Sequence, residues 1–239
     1  MIKEALQYIV GLKEPSIKEI GGSTYSDKPL SRIIDIPYAD EIKLSTLTSL
    51  VEYIQSGIDE MSGRMIVHVV SPTEVRLYSE LDCERNRENV AVVNAELPNF
   101  RFGDFIDHES FVIALQSKFI DNDDRSLLMK FAGTVEAGTV ASYGDDGVSQ
   151  KATVKTGISQ KSDAIVPNPV SLIPYRTFHE VKQPESQFIF RMKQEKYDDS
   201  IKCAIFEADG GAWRQAAMEN VKAYLKDALK TFDDYIVIS

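Results

Sequence analysis

The chain has 239 residues, 43% hydrophobic and 27% charged, with a formal net charge of −10, the composition of an ordinary globular protein with ample core. That acidity argues against non-specific DNA binding and against anionic lipid, both of which draw on clustered Lys and Arg. No apolar run reaches the roughly 18 residues of a membrane span, and Met1-Ile2-Lys3-Glu4-Ala5 lacks the apolar stretch of an export signal, so a cytoplasmic protein is expected.

Along the chain, residues Ile2 to Leu12 read as a short amphipathic helix, followed by loop-like sequence through Pro37. Leu44, Leu47, Leu50, Val51, Ile54 and Ile58 recur at helical spacing, with Ser45 as the expected N-cap and Gly63 beyond the end. The β-branched runs at 64–70, 74–80 and 89–97 predict an antiparallel meander. Two helices follow, one capped by Asp107, the other begun near Asp123 or Asp124 and stopped by Gly133. Asp146-Gly147 signals a hairpin whose second strand carries Lys151, Thr153 and Lys155 on one face. Three prolines in 164–178 suit edge or irregular strands, and "QFIFRMK" and "IKCAIFE" alternate as strands. Residues Ala212 to Phe232 form a long helix, and "YIVIS" closes as a strand.

Blocks of strands and helices without βαβ alternation give an α+β fold, with a mixed, largely antiparallel sheet and a long C-terminal helix before the last strand. The expected organisation is an N-terminal helix and extended arm over residues 1–44 and an α+β domain over 45–239, with a subdomain split near 130 left open.

Cys83 and Cys203 lie far apart and outside any C-x-x-C, which suggests neither a disulfide framework nor a cysteine-rich metal site. Asp107-His108-Glu109 and Asp121-Asn122-Asp123-Asp124 lack metal-loop spacing and read as helix-capping acids. His68, His108 and His179 fall on separate predicted elements, and neither G-x-S-x-G nor H-E-x-x-H occurs. No catalytic set, cofactor or metal is therefore expected. Asp209-Gly210-Gly211 precedes the last helix, where backbone N–H groups hold anions, but it lacks the remaining residues of a phosphate loop. The expected role is architectural: Asp209 caps, the glycines turn, and Trp213 staples helix to sheet.

Charge is uneven, with a balance of +3 over residues 148–202, −11 over 1–147 and −2 over 203–239. In 174–191, Arg176, Lys182 and Arg191 alternate with Tyr175, Phe178, Phe188 and Phe190, a mixture that can neutralise and stack on a nucleotide-like anion. With Lys151 and Lys155 these form the candidate ligand-binding set. The competing reading makes the aromatics a buried sheet face and pairs Arg176 with Glu180 or Glu185.

"NPVSLIPYRTFHEVKQPESQFIFR" (168–191) and "CAIFEADGGAWRQAAMENVKAYL" (203–225), and more loosely "YGDDGVSQKATVKTG" (143–157), resemble the YfdQ-like family of phage and prophage proteins, a domain of unknown function. The likeness spans residues 45–239 and is strongest after 130. It implies a phage-borne accessory protein in the bacterial cytoplasm and carries no established catalytic residues. Three functions follow as expectations. The first is a non-enzymatic, homo-oligomeric protein that binds a host or phage component, with counter-defence as one such role. The second is an acidic nucleic-acid mimic that occupies a basic groove on a host enzyme. The third is a nucleotide-binding sponge or enzyme using the basic strand region.

Overall fold

The computed structural model describes residues 2–11, 15–28, 39–61, 63–137, 139–145, 149–156, 160–194 and 200–239. The chain divides by contacts into Met1–Ala39 and Asp40–Ser239. In the first unit, α1 (Ile2–Gly11) precedes a hairpin of β1 (Ile17–Ile20) and β2 (Ser23–Ser26). This hairpin occupies sequence expected to be loop-like. Its signal is Gly21-Gly22, both at positive φ (60° and 79°), the two-residue turn whose twist suits paired strands. Its strands are four residues each and wholly exposed, so they carry no burial alternation.

The second unit is α+β. One sheet has the order β15 (Tyr235–Ile238), β4 (Met65–Ser71), β5 (Glu74–Ser79), β6 (Asn89–Asn94) and β3 (Ile42–Leu44). Strands β4, β5 and β6 form the expected antiparallel meander, and β3 and β15 add in parallel at its two ends. Ile42–Leu44, read from sequence as part of the arm, is thus sheet. Alternate residues Met65, Val67 and Val69 of β4 point inward with Val75 and Leu77. Helices α2 (Leu47–Ser56) and α5 (Ala212–Ala228) cover that face, building a core with Leu50, Ile54, Val221 and Leu225.

Helix α2 starts one residue later than expected: Thr46 is the N-cap, its Oγ1 accepting from Ser49 N–H at 3.1 Å. It also stops earlier, because Gly57 takes the left-handed C-cap position, leaving Ile58 74% exposed.

The other large sheet runs β7 (Ile106–Asp107), β14 (Ile201–Glu207), β13 (Ser186–Gln194), β12 (Val170–Pro174) and β8 (Phe119–Ile120). Helices α3 (His108–Lys118) and α4 (Asp123–Ala137) complete its core, with Phe111, Leu128, Leu172, Phe188, Phe190 and Ile205. Asp107 caps α3 as expected, accepting from Ser110 N–H at 2.9 Å. Helix α4 continues past Gly133, since an isolated interior glycine costs only about 1 kcal/mol. Of residues 164–178, the part through Pro167 ends a strand at the edge of a separate three-stranded sheet, as expected, whereas β12 lies inside its sheet order, with Pro174 at its end removing no donor from its middle.

A third sheet holds β9 (Thr139–Asp145), β10 (Ser149–Thr156) and β11 (Gln160–Pro167), all antiparallel. The Asp146-Gly147 turn lies outside the described residues. Among the described residues no helix is long and apolar enough to cross a membrane.

Leu50 is fully buried in the first core, so Leu50→Ala is expected to cost about 2–5 kcal/mol. Ile58→Ala, on the same sequence stripe but outside the helix, should change stability by less than about 0.5 kcal/mol. Urea unfolding of the two variants measures the contrast.

Candidate functional site

Strands β12 and β13 are joined by residues 175–185, which form a strap between the two cores. Phe178 and Val181 insert into the first core. Gln183, 3% exposed, fixes the strap's path: its Oε1 accepts the N–H groups of Arg176 and Thr177, and its Nε2 donates to the carbonyls of Thr177 and Phe178. Thr177 Oγ1 donates to Pro72 O, and Asn220 Nδ2 donates to Lys182 O at 2.8 Å. Glu180 Oε1 accepts Leu47 N–H at 2.6 Å and Thr48 N–H at 3.3 Å. That carboxylate fills the N-terminus of α2, where the helix dipole favours it.

Arg176 is 7% exposed. Its guanidinium bonds Glu207 Oε1 through Nη1 at 2.8 Å and Ser186 Oγ through Nη2. It lies 4.1 Å from the Trp213 ring centroid and 5.5 and 5.7 Å from those of Phe188 and Phe102, so Glu207, rather than Glu180 or Glu185, is its ion-pair partner. Burial lowers its pKa to about 10 against the pull of Glu207 and Asp209, which leaves it charged at neutral pH. Arg176 Nε and Trp213 Nε1 are both buried without a hydrogen-bond partner among the described residues.

The Asp209-Gly210-Gly211 turn joins this network. Gly210 and Gly211 take φ of 62° and 83°, which glycine adopts without a Cβ penalty. Gly211, not Asp209, is the N-cap residue, and it has no side chain to offer. The Asp209 carboxylate substitutes, accepting Gly211 N–H at 2.9 Å and bonding the Trp213 backbone. Burial raises its pKa, but Ser186, those two amides and the Arg176 charge outweigh it and hold the carboxyl low. The start of α5 is thus already served by an internal anion.

Beside Arg176 opens a cleft of about 460 Å³ lined by Lys118, Arg176 and Arg214, with Phe100, Tyr175 and Trp213 among its aromatic walls and Glu207 its one acid among the described residues. Arg214 lies 4.9 Å from the Trp213 ring and Lys118 6.0 Å from that of Phe100. Lys118 also donates to Asn99 O at 2.5 Å. A second cleft, of about 480 Å³, carries Glu96, His179 and Glu180 and no Lys or Arg among its described lining.

The sequence-derived basic set is spread over different elements. Arg191 points to the face of β13 opposite Ser186 and Phe188, and its Nη1 donates to Phe190 O at 2.9 Å. Lys182 is exposed on the strap. Lys151 and Lys155 lie on β10 of the third sheet, opposite Ile165 and Lys161 of β11, with their side chains outside the description. Sequence reasoning missed Lys118 and Arg214. Arg214 had a signal, adjacency to the sole tryptophan, whereas Lys118 reaches the cleft only through tertiary folding.

Two acids of the first half bond backbone amides. Asp82 accepts from Glu84 and Asn86 N–H, and Asp124 from Ser171 N–H. His68 lies on β4, His108 at the start of α3 and His179 on the strap beside Tyr175. Among the described residues no group of three or more His, Cys, Asp or Glu is placed to hold a metal ion. Comparison with protein-family models, curated proteins and solved structures returned no match.

Because the Asp209 pKa is lowered in the folded state, its stabilisation is present above the ordinary carboxyl value of 3.8 and is lost as pH falls through the lower folded value. Asp209→Asn should therefore lower the melting temperature near neutrality, and the gap should close below that window. Thermal unfolding across pH reads it. Arg176→Ala strands Glu207, which is 30% exposed; the expected cost is about 2–4 kcal/mol, somewhat under that of breaking a wholly buried pair.

Proposed function

We propose that the chain is a non-enzymatic binding protein encoded by a phage or prophage, acting in the cytoplasm of its bacterial host, and that it holds a nucleotide-like anion in the cleft beside Arg176. The observation that carries this reading is the convergence of Lys118, Arg176 and Arg214 on one cleft in a chain of net charge −10. Cations gathered against a protein's overall sign concentrate anions locally, and aromatic walls offer flat surfaces for a base. Arg176 is committed to Glu207 and Ser186, so Lys118 and Arg214 meet the phosphate. The unpartnered Nε of Arg176 and Nε1 of Trp213 are donors that an acceptor entering beside them completes. The phage setting rests on the resemblance of residues 168–191 and 203–225 to the YfdQ-like family.

Trp213 is the sole tryptophan, so its emission reports directly on the cleft. Titration with adenosine monophosphate should give a saturable change, weaker at high salt, with the nucleotide recovered intact. Replacing both Lys118 and Arg214 by alanine should weaken binding at least about tenfold, since a hydrogen bond to a charged group contributes about 1.5–3 kcal/mol. Lys182→Ala should leave it unchanged. No saturable change with any common mononucleotide rejects the proposal.

A further inference from the structure

Strand β15 lies at the end of its sheet order, paired in parallel with β4 of its own chain, and its other edge has no partner among the described residues. Edge strands are usually guarded by Lys, Pro or a bulge. At the opposite end of this sheet, β3 carries Lys43. Strand β15 is Tyr-Ile-Val-Ile, uncharged throughout, with Ile236 44% and Ile238 41% exposed. These two side chains share the face opposite the helices with Ile66 and with Val70, itself 38% exposed.

We propose that β15 pairs antiparallel with β15 of a second copy about a two-fold axis at Val237. This does not rest on the cleft.

Residues directly opposite in an antiparallel pair point to the same face. Setting Val237 against itself places Ile236 opposite Ile238 of the partner subunit on the exposed face and keeps Val237 with the buried one. A register shifted by one residue sets an exposed isoleucine against the buried valine. The charges select the same direction. Asp233 and Asp234 precede the strand, and Lys222 Nζ reaches Ser239 Oγ at its far end, 3.1 Å away. In the antiparallel register Ser239 lies across from Tyr235 of the partner subunit, bringing Lys222 toward Asp234 of the partner subunit. A parallel pairing stacks each aspartate on its equivalent, which like-charge repulsion opposes.

Sedimentation of the full chain should give twice the chain mass, and Ile236→Lys with Ile238→Lys should return it to one chain mass without changing the far-ultraviolet circular dichroism, since both positions are exposed. A chain that stays monomeric from low to high micromolar concentration overturns the proposal, as does a dimer that survives both lysines. Register is read separately: in a Cys83→Ser background, Val237→Cys should give a disulfide-linked dimer on mild oxidation, because among antiparallel registers position 237 meets itself only in this one. A dimer that does not cross-link there overturns the register.

Discussion

The buried amide of Gln183 is the constraint on which the second unit depends. By closing both ends of its side chain onto the strap's own backbone, it removes the polar cost of taking that backbone inside. The strap can then send neighbouring residues in different directions: Arg176 toward Phe102 and Phe188, Phe178 into the core under α2 and α5. Glu180 extends the arrangement to the start of α2. A side chain without net charge thus fixes where two charged ones act.

Arg176 translates this geometry into electrostatics. Its charge is kept at neutral pH by Glu207 and Asp209 despite burial, and its flat guanidinium lies over aromatic faces, as guanidinium groups do better than ammonium groups. Through Ser186 it reaches Asp209, which in turn seats the first turn of α5. The cleft is consequently rigid on its Arg176 and Trp213 side, while Arg214 is exposed.

Much of the fold was legible because its signals are local. The meander shows in β-branched runs, α3 in Asp107, and α5 and β15 in their spacing. The hairpin at 17–26 escaped because its exposed strands bury nothing that would alternate, and α2 shifted because Gly57 and Thr46 outcompeted the more distant Gly63 and the adjacent Ser45. The site was half legible. Arg176 and the Asp209-Gly210-Gly211 corner stood out by composition, but no sequence separation could say that they share a network through Ser186. Alternation along β13 already sets Arg191 on the face opposite Phe188 and Phe190, but the sequence could not show that Arg176 packs on the Phe188 face. Lys118 lies 58 positions before Arg176 and joins it only when the second core closes.

The interleaving of the two cores has a consequence for synthesis. The second core draws on residues between Phe111 and Ile205, whereas the first needs residues from Leu47 and from Val237 together. During translation the inner assembly has all its parts in hand first. Helix α2 and the meander, made before the second core, must wait with their apolar face uncovered until α5 and β15 emerge. Any factor that attends the nascent chain would meet that waiting surface, and a stall late in translation would leave a finished centre with an open flank.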